Sequence, residues 1–325
     1  MTTEHITQLN KAVEAVKSKQ TVNHIYFVAC GGSQALLMPA QFTFDREIDI
    51  PASVYSSNDF VHRQPKALGE NSVVITCSHS GNTPETVQAT KLAREKGALT
   101  IALSHLEGSE LWEAAQYPIH YSWGPEADAS DINRGIICAL SFQIMNTLRP
   151  CEKFERAISC LEHFNEVIVK AKVQYEPIGK EWGKKYKRET LIYTMGSGAC
   201  YGEAYAFAIC MLMEMQWINA SAIHSGEYFH GPFEITDFDV PFVILKGIGS
   251  TRPLDDRAYD FCKKHSEKIM LIDAETFDLT GIDEDIKEYI VPYIMPTVLR
   301  TFSDALAYER GHLLSVRRYM WKMDY

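Results

Sequence analysis

Val73-Val74-Ile75-Thr76-Cys77-Ser78-His79-Ser80-Gly81-Asn82-Thr83-Pro84-Glu85 decides how this chain is read. The first five residues are a short run of β-formers, the pattern of a strand buried on both faces of a parallel sheet. A polar turn follows, with hydroxyls at Ser78, Ser80 and Thr83 and with Gly81 free to make a tight backbone bend. Thr83-Pro84-Glu85 then opens a helix, Thr83 as N-cap and Pro84 at the first helical position. That helix runs to Lys96, Gly97 stops it, and Ala98 to Leu103 reads as the next strand. Strand, turn, helix and strand at this spacing make a βαβ unit.

The same grammar extends in both directions. Upstream, Ile6, Leu9, Val13 and Val16 recur at helical spacing, and His24 to Cys30 reads as a buried strand ending in Gly31-Gly32-Ser33. Downstream, Leu191 to Gly198 echoes that first strand and its glycine-serine turn. Pro241 to Leu245, the loop Gly247-Ile248-Gly249-Ser250-Thr251, a helix from Leu254 to His265 and a strand from Lys268 to Ile272 echo the second. Ser33 to Ser197 and Ser80 to Ser250 span similar lengths of chain, so the sequence is an internal repeat of two α/β units. The expected organisation is a first unit over 1–150, a charged helical connector over 151–189 and a second unit with a C-terminal tail over 190–325. Each unit is expected to be a parallel sheet flanked by helices.

At 325 residues two domains are the default, and 46% hydrophobic with 23% charged residues is an ordinary globular composition. The net charge of −10 argues against nucleic acid and against an anionic membrane surface, both of which need clustered positive charge. Eight scattered cysteines without CxxC spacing read as reduced core thiols. With no apolar signal core in Met1 to Lys19, a cytoplasmic protein is expected.

An acidic protein that binds an anion does so locally. At the carboxyl end of a parallel strand and the start of a helix, the Ser78 loop offers amides, hydroxyls and the positive end of the helix dipole. Read alone, it is equally an ordinary capped turn. Ser33, at the end of a neighbouring strand, brings another hydroxyl towards it. In the second half the equivalent loop has lost most of its hydroxyls.

Two further residues stand out. Glu214 is the single formal charge in Ala204 to Trp217, a helix apolar nearly all round, where burial raises a carboxyl pKa towards the range useful for proton transfer. A carboxylate at the domain edge, or one paired with a buried arginine, is the structural alternative. His230, in Ser225-Gly226-Glu227-Tyr228-Phe229-His230-Gly231-Pro232, lies in a run broken by glycine and proline and so in a loop. His224, Glu227 and His230 lack the HExxH spacing of a zinc helix, so no metal and no other cofactor is expected. Glu214 and His230 are sixteen residues apart, about 24 Å if all the chain between were helix. The chain therefore folds back, or the two residues meet across a subunit interface.

The turn Ala29-Cys30-Gly31-Gly32-Ser33 and the loop Ser78 to Thr83 resemble the two phosphate-binding turns of sugar isomerase (SIS) domains. The stretch from Glu214 through Ser225-Gly226-Glu227 to His230-Gly231-Pro232 is similar to the isomerase half of glucosamine-6-phosphate synthase. It is more similar still to the fructosamine-6-phosphate deglycases, which share this run and an Arg-Arg-Tyr tail, here Arg317-Arg318-Tyr319 through Tyr325. Within that family the resemblance is greatest to deglycases acting on 6-phosphofructose-aspartate. It implies Ser33, Ser78, Ser80 and Thr83 as phosphate ligands, with Gly32 and His79 in the same two turns. It implies Glu214 as the acid/base between C1 and C2, and His230 as the group that assists ring opening, supplied by the partner in a homodimer. His79 stands where the synthase loop has glutamine, no glutaminase domain is expected ahead of these units, and the synthase's C-terminal lysine motif does not occur in the tail. Ammonia-fed glucosamine synthesis is therefore not expected. An aldose–ketose isomerase, an amino-sugar-phosphate deaminase and a non-catalytic sugar-phosphate sensor are the rival readings. The residues that grip the amino-acid portion are left open among Arg134, Arg317, Arg318 and Lys322.

Overall fold

In the computed structural model, which describes residues 1–323, the chain forms two α/β units. The first comprises residues 1–165 with the short return 281–286, and the second comprises 166–280 with 287–323 of the described chain. The expected connector contains helices Glu152–Cys160 and Phe164–Tyr186, and the division by contacts falls inside the second of these.

The first unit is built on β1 (His24–Ala29), β2 (Ala52–Ser56), β3 (Ser72–Cys77), β4 (Leu99–Ser104) and β5 (Tyr117–His120). All neighbours are parallel, in the order β2-β1-β3-β4-β5. The three central strands are buried from end to end but for His24, because helices cover both faces. On one face Tyr26, Val28 and Val74 pack with Phe60, Ala89 and Ala93. β2 and β5 lack the continuous apolar run that marks the central strands in the sequence. Every residue of β2 is only half-buried, and β5 is four residues long with Pro118 in it, as an edge strand tolerates.

The second unit carries β6 (Leu191–Gly196), β7 (Asn219–His224), β8 (Phe242–Lys246) and β9 (Ile269–Asp273), also parallel, in the order β7-β6-β8-β9. Its core joins Met195, Ile223, Phe242 and Ile244 to Tyr228, Ala258 and Cys262. β7 is likewise without such a run, Asn219-Ala220-Ser221-Ala222-Ile223-His224 being too polar to read as a buried strand. The expected helix around Glu214 is present, but over Phe207–Met215 it is widened into a π-helix. Such segments recur at functional sites. Helix Lys287–Arg310 closes the unit with Tyr289, Tyr293 and Phe302 buried.

Both sheets therefore reverse strand order at their first strand, β1 between β2 and β3, and β6 between β7 and β8. In open parallel sheets the crevice beyond the carboxyl ends of strands at that reversal is where ligands bind. Among the described residues no helix is long and apolar enough to cross a membrane. Cys77, Cys138, Cys160, Cys200 and Cys262 are buried free thiols, whereas Cys151 is exposed and so is no core residue.

Candidate active site

In the first unit the reversal crevice is made by the two turns singled out in the sequence. β1 and β3 pair up to Ala29 opposite Cys77, so the turn at Cys30–Ser33 and the loop at Ser78–Thr83 leave adjacent strand ends. Gly31 adopts φ +55 where the chain turns into helix Gly31–Glu47, Gly32 is exposed, and Ser33 is half-buried with its hydroxyl bonded to Cys77. Burial pushes the Cys77 thiol up to about 12, so it stays protonated.

The loop itself is internally braced. Ser78 is buried and its hydroxyl shares a 2.8 Å hydrogen bond with that of Thr83. Thr83 is the N-cap of helix Pro84–Glu95 by position, but its side chain does not cap; it is turned to Ser78 instead. The helix start is thus left without a side-chain cap, as suits an anion site. Gly81 has φ +66, and a Cβ there would overlap the hydroxyls of Ser109 and Ser104. Ser80 and Asn82 are exposed; the Ser80 hydroxyl accepts from the Asn82 amide at 3.2 Å, and Asn82 Oδ1 accepts from the Glu110 amide at 3.1 Å.

His79 projects from the loop into an aromatic group. Its Nδ1 lies 3.1 Å from the Tyr121 hydroxyl, its ring stacks on His105 at 5.2 Å, and Trp123 edges it at 4.6 Å. Desolvation first and His105 second hold its pKa below the ordinary histidine value, so the ring is neutral near pH 7. The row continues from His105 to His120 and on to His5, whose Nδ1 is 2.5 Å from Asp131.

The second unit's crevice is filled by the protein's own carboxylates. Ser250 donates from both its amide and its hydroxyl, at 3.0 Å each, to Glu288 Oε1, and the Glu288 carboxylate packs directly on Gly249. Asp255, fully buried, accepts from the Ser225 hydroxyl at 2.6 Å and from the Gly247 amide at 3.3 Å, tying together the ends of β7 and β8. Desolvation lifts its pKa to about 6 against the pull of those bonds. The loop that echoes Ser78 to Thr83 thus holds an internal anion.

Glu214 stands near the end of the π-helix, in this same unit. The sequence suggested a buried carboxylate; the structure leaves its side chain 22% exposed and pairs it with Arg317, Nη2 to Oε1 at 2.7 Å. Desolvation raises its pKa, while the charge and hydrogen bond of Arg317 lower it, and the net direction is upward. Arg317 is itself only 7% exposed. It is therefore neither a solvated charge nor simply a candidate ligand for substrate; its ion pair with Glu214 is the buried-arginine alternative, although no spacing in the sequence singles out Arg317 as the partner. Glu214 lines a cavity of about 600 Å³ with Met213, Trp217, Arg317, Arg318 and Tyr319.

His230 is exposed in the turn after β7, its amide donating to the Glu227 carbonyl at 2.9 Å, and Gly231 follows at φ +130. The run is a turn, as the glycine and proline implied. His224 ends β7 with Nδ1 accepting the Gly226 amide at 3.1 Å, its pKa lowered by burial. The π-helix delivers the chain to the amino end of β7, whereas His230 lies beyond its carboxyl end. A six-residue strand at about 3.3 Å per residue puts roughly 17 Å between those ends. Glu214 and His230 of one chain therefore stand at opposite ends of the strand, and His230 is not among the residues lining the Glu214 cavity. Tyr325, at the end of the family-like tail, lies outside the described residues.

Residues 20–148 match the model of the SIS domain. Over 98% of its length, and 98% of the relative's, the chain is 49% identical to the fructosamine deglycase FrlB of Bacillus subtilis (strain 168). It is 27% identical to the fructoselysine 6-phosphate deglycase of Escherichia coli (strain K12), over 97% of this chain and 90% of that one. Its fold superposes with a TM-score of 0.96 on a crystal structure described as a phosphosugar isomerase of Bacillus subtilis, 49% identical, covering 98% of this chain and 97% of the other. The chain belongs to the SIS-domain family of fructosamine deglycases, and it is an enzyme.

Proposed function

From this family membership and the site geometry, we propose that the chain hydrolyses a 6-phosphorylated fructosamine, with 6-phosphofructose-aspartate as the best substrate, to glucose 6-phosphate and the free amino acid. The observation that carries the reading is Glu214: a carboxylate whose pKa burial raises and the charge of Arg317 restrains, on the wall of a cavity large enough for an amine substituent. A group that takes and returns a proton works best when its pKa lies near the working pH. The phosphate is held at the first unit's crevice by Ser33, Ser78, Ser80 and Thr83, with Gly32 and His79 beside them.

The steps balance as follows. His230 assists opening of the furanose, freeing the C2 carbonyl. Glu214 removes a proton from C1, giving the enolamine, and a proton returned to C2 leaves an imine between C1 and the amine nitrogen. Water adds to that imine, the C–N bond breaks, and glucose 6-phosphate and the amine depart. The C2 carbonyl takes up the electron pair released at C1, and the lone pair of the amine nitrogen then forms the C1–N double bond as C2 is protonated, so these steps are complete without a metal or redox cofactor. The enzyme works in the cytoplasm, where phosphorylated sugars are made.

The strand between Glu214 and His230 supports a homodimer in which each site draws Glu214 from one chain and His230 from the other. The test is complementation. Glu214→Gln and His230→Ala alone should each lose about two to four orders of magnitude in turnover with unchanged melting temperature. Mixed in equal amounts and allowed to exchange, half of the dimers carry one intact site, so about a quarter of wild-type activity should return. No recovery, with exchange verified, sinks the shared site. Near-normal glucose 6-phosphate release by Glu214→Gln sinks the mechanism. Turnover of fructose 6-phosphate or glucosamine 6-phosphate in preference to phosphorylated fructosamines would favour the isomerase or deaminase instead.

A further inference from the structure

We propose that the cavity beside Glu214 is the subsite for the amino-acid portion of the substrate, and that Arg318 is its carboxylate-binding residue, selecting amino acids joined to the sugar through their α-nitrogen. This rests on the deglycase reading, which says that the bond to be cut lies at the carbon on which Glu214 acts.

The two consecutive arginines of the tail have different engagements. Arg317 is fully occupied on its two terminal nitrogens: Nη2 binds Glu214, and Nη1 donates to the carbonyls of Leu314 at 2.6 Å and Val316 at 3.0 Å. Only its buried Nε is without a partner. Arg318 is exposed, its guanidinium lies 4.2 Å over the Trp217 ring, and among the described residues no carboxylate pairs with it. Stacking on an aromatic face holds the guanidinium by cation–π attraction and leaves its N–H groups directed outward in its own plane. That is the arrangement that receives a carboxylate through two parallel hydrogen bonds.

The platform under it is built in. Trp217 has φ +55, left-handed backbone that a bulky residue rarely adopts, and His312 packs against its ring at 4.4 Å. Such a conformation persists where the surroundings over-determine it, and it is concentrated at ligand sites. Met213, Trp217 and Tyr319 line the same cavity and expose 47%, 39% and 63% of their surface. An uncommitted cation set among exposed apolar side chains suits a ligand with a carboxylate and a short aliphatic body.

Distance along the ligand selects the linkage. In an α-linked amino acid the carboxylate carbon is two bonds beyond the reacting nitrogen, whereas in an ε-linked lysine it is six bonds away, beyond four methylenes and Cα. Glu214 and Trp217 are one helical turn apart in sequence, and their partners Arg317 and Arg318 are adjacent. The guanidinium is therefore in the immediate neighbourhood of the carboxylate that works on C1, the place an α-carboxylate reaches.

The experiment compares three 6-phosphofructosamines: aspartate joined through its α-nitrogen, lysine joined through its ε-nitrogen, and ethylamine, which has no carboxylate. Release of glucose 6-phosphate is followed with wild type, Arg318→Met and Arg318→Lys. The wild type should prefer the α-linked aspartate to the ethylamine compound by tenfold or more in kcat/KM, mainly through KM. Arg318→Met should collapse that ratio towards one, and Arg318→Lys should keep part of it. An unchanged ratio in Arg318→Met, or a wild type that prefers the ε-linked lysine, overturns the proposal. Failure of the wild type to release glucose 6-phosphate from all three would instead overturn the deglycase reading.

Discussion

At the scale of single residues, the informative pair is Glu214 and Arg317. Burial raises the Glu214 pKa and Arg317 restrains the rise, so the guanidinium opposes protonation of the carboxylate. If Glu214 is the base, activity is lost as pH falls through its pKa. Arg317→Met removes the restraint, and the acid limb of the kcat/KM profile should then move to higher pH by at least about one unit. An unmoved limb would mean that another group controls it. Glu214 could be singled out from its apolar context, because a lone charge in such a helix is visible to pattern reading. Its partner could not, since Arg317 is brought to it by the packing of the tail and not by any local spacing.

The elements explain why two similar loops behave differently. Gly81 allows the Ser78 loop its tight bend, and Gly81→Ala must relieve both a left-handed φ and an overlap with two serine hydroxyls. A cost of about 1–3 kcal/mol is expected, read as a lower melting temperature with weaker protection by inorganic phosphate. In the second unit the comparable loop is already satisfied by Glu288. Glu288→Ala should cost about 1–2 kcal/mol, and added phosphate should restore part of it, since the loop then lacks its anion. No restoration would mean that the loop has no anion-binding capacity of its own. The sequence shows that this loop has lost most of its hydroxyls. It did not show what replaced the ligand, because Glu288 approaches from a helix whose position no repeat or motif predicts. The central strands were legible as continuous apolar runs, whereas β2, β5 and β7 were not, being half-exposed, short or polar.

For the whole molecule, Asp255 gives a stability test. Its folded pKa of about 6 lies above the value of 3.8 natural to an aspartate, so the folded state holds the proton more tightly. Its contribution is therefore fully present below about pH 4 and is lost as pH rises through about 6. Melting wild type and Asp255→Asn at pH 5 and pH 8 separates this from the hydrogen-bonding cost of the substitution. The variant should gain on wild type by about 1–1.5 kcal/mol between the two pH values. A difference independent of pH would show that the carboxyl is ionised throughout.

The sequence by itself determined the two-unit α/β fold, the loop at Ser78 and the family, since buried parallel strands, helix starts and a contiguous Ser-Gly-Glu-x-x-His-Gly-Pro run are all local patterns. Only the tertiary structure decided that Thr83 turns to Ser78 instead of capping its helix, that Glu288 fills the second loop, that Arg317 restrains Glu214, and that β7 stands between Glu214 and His230. Each of these depends on which surfaces pack together, and a contact between residues far apart in the chain leaves no period or spacing to read.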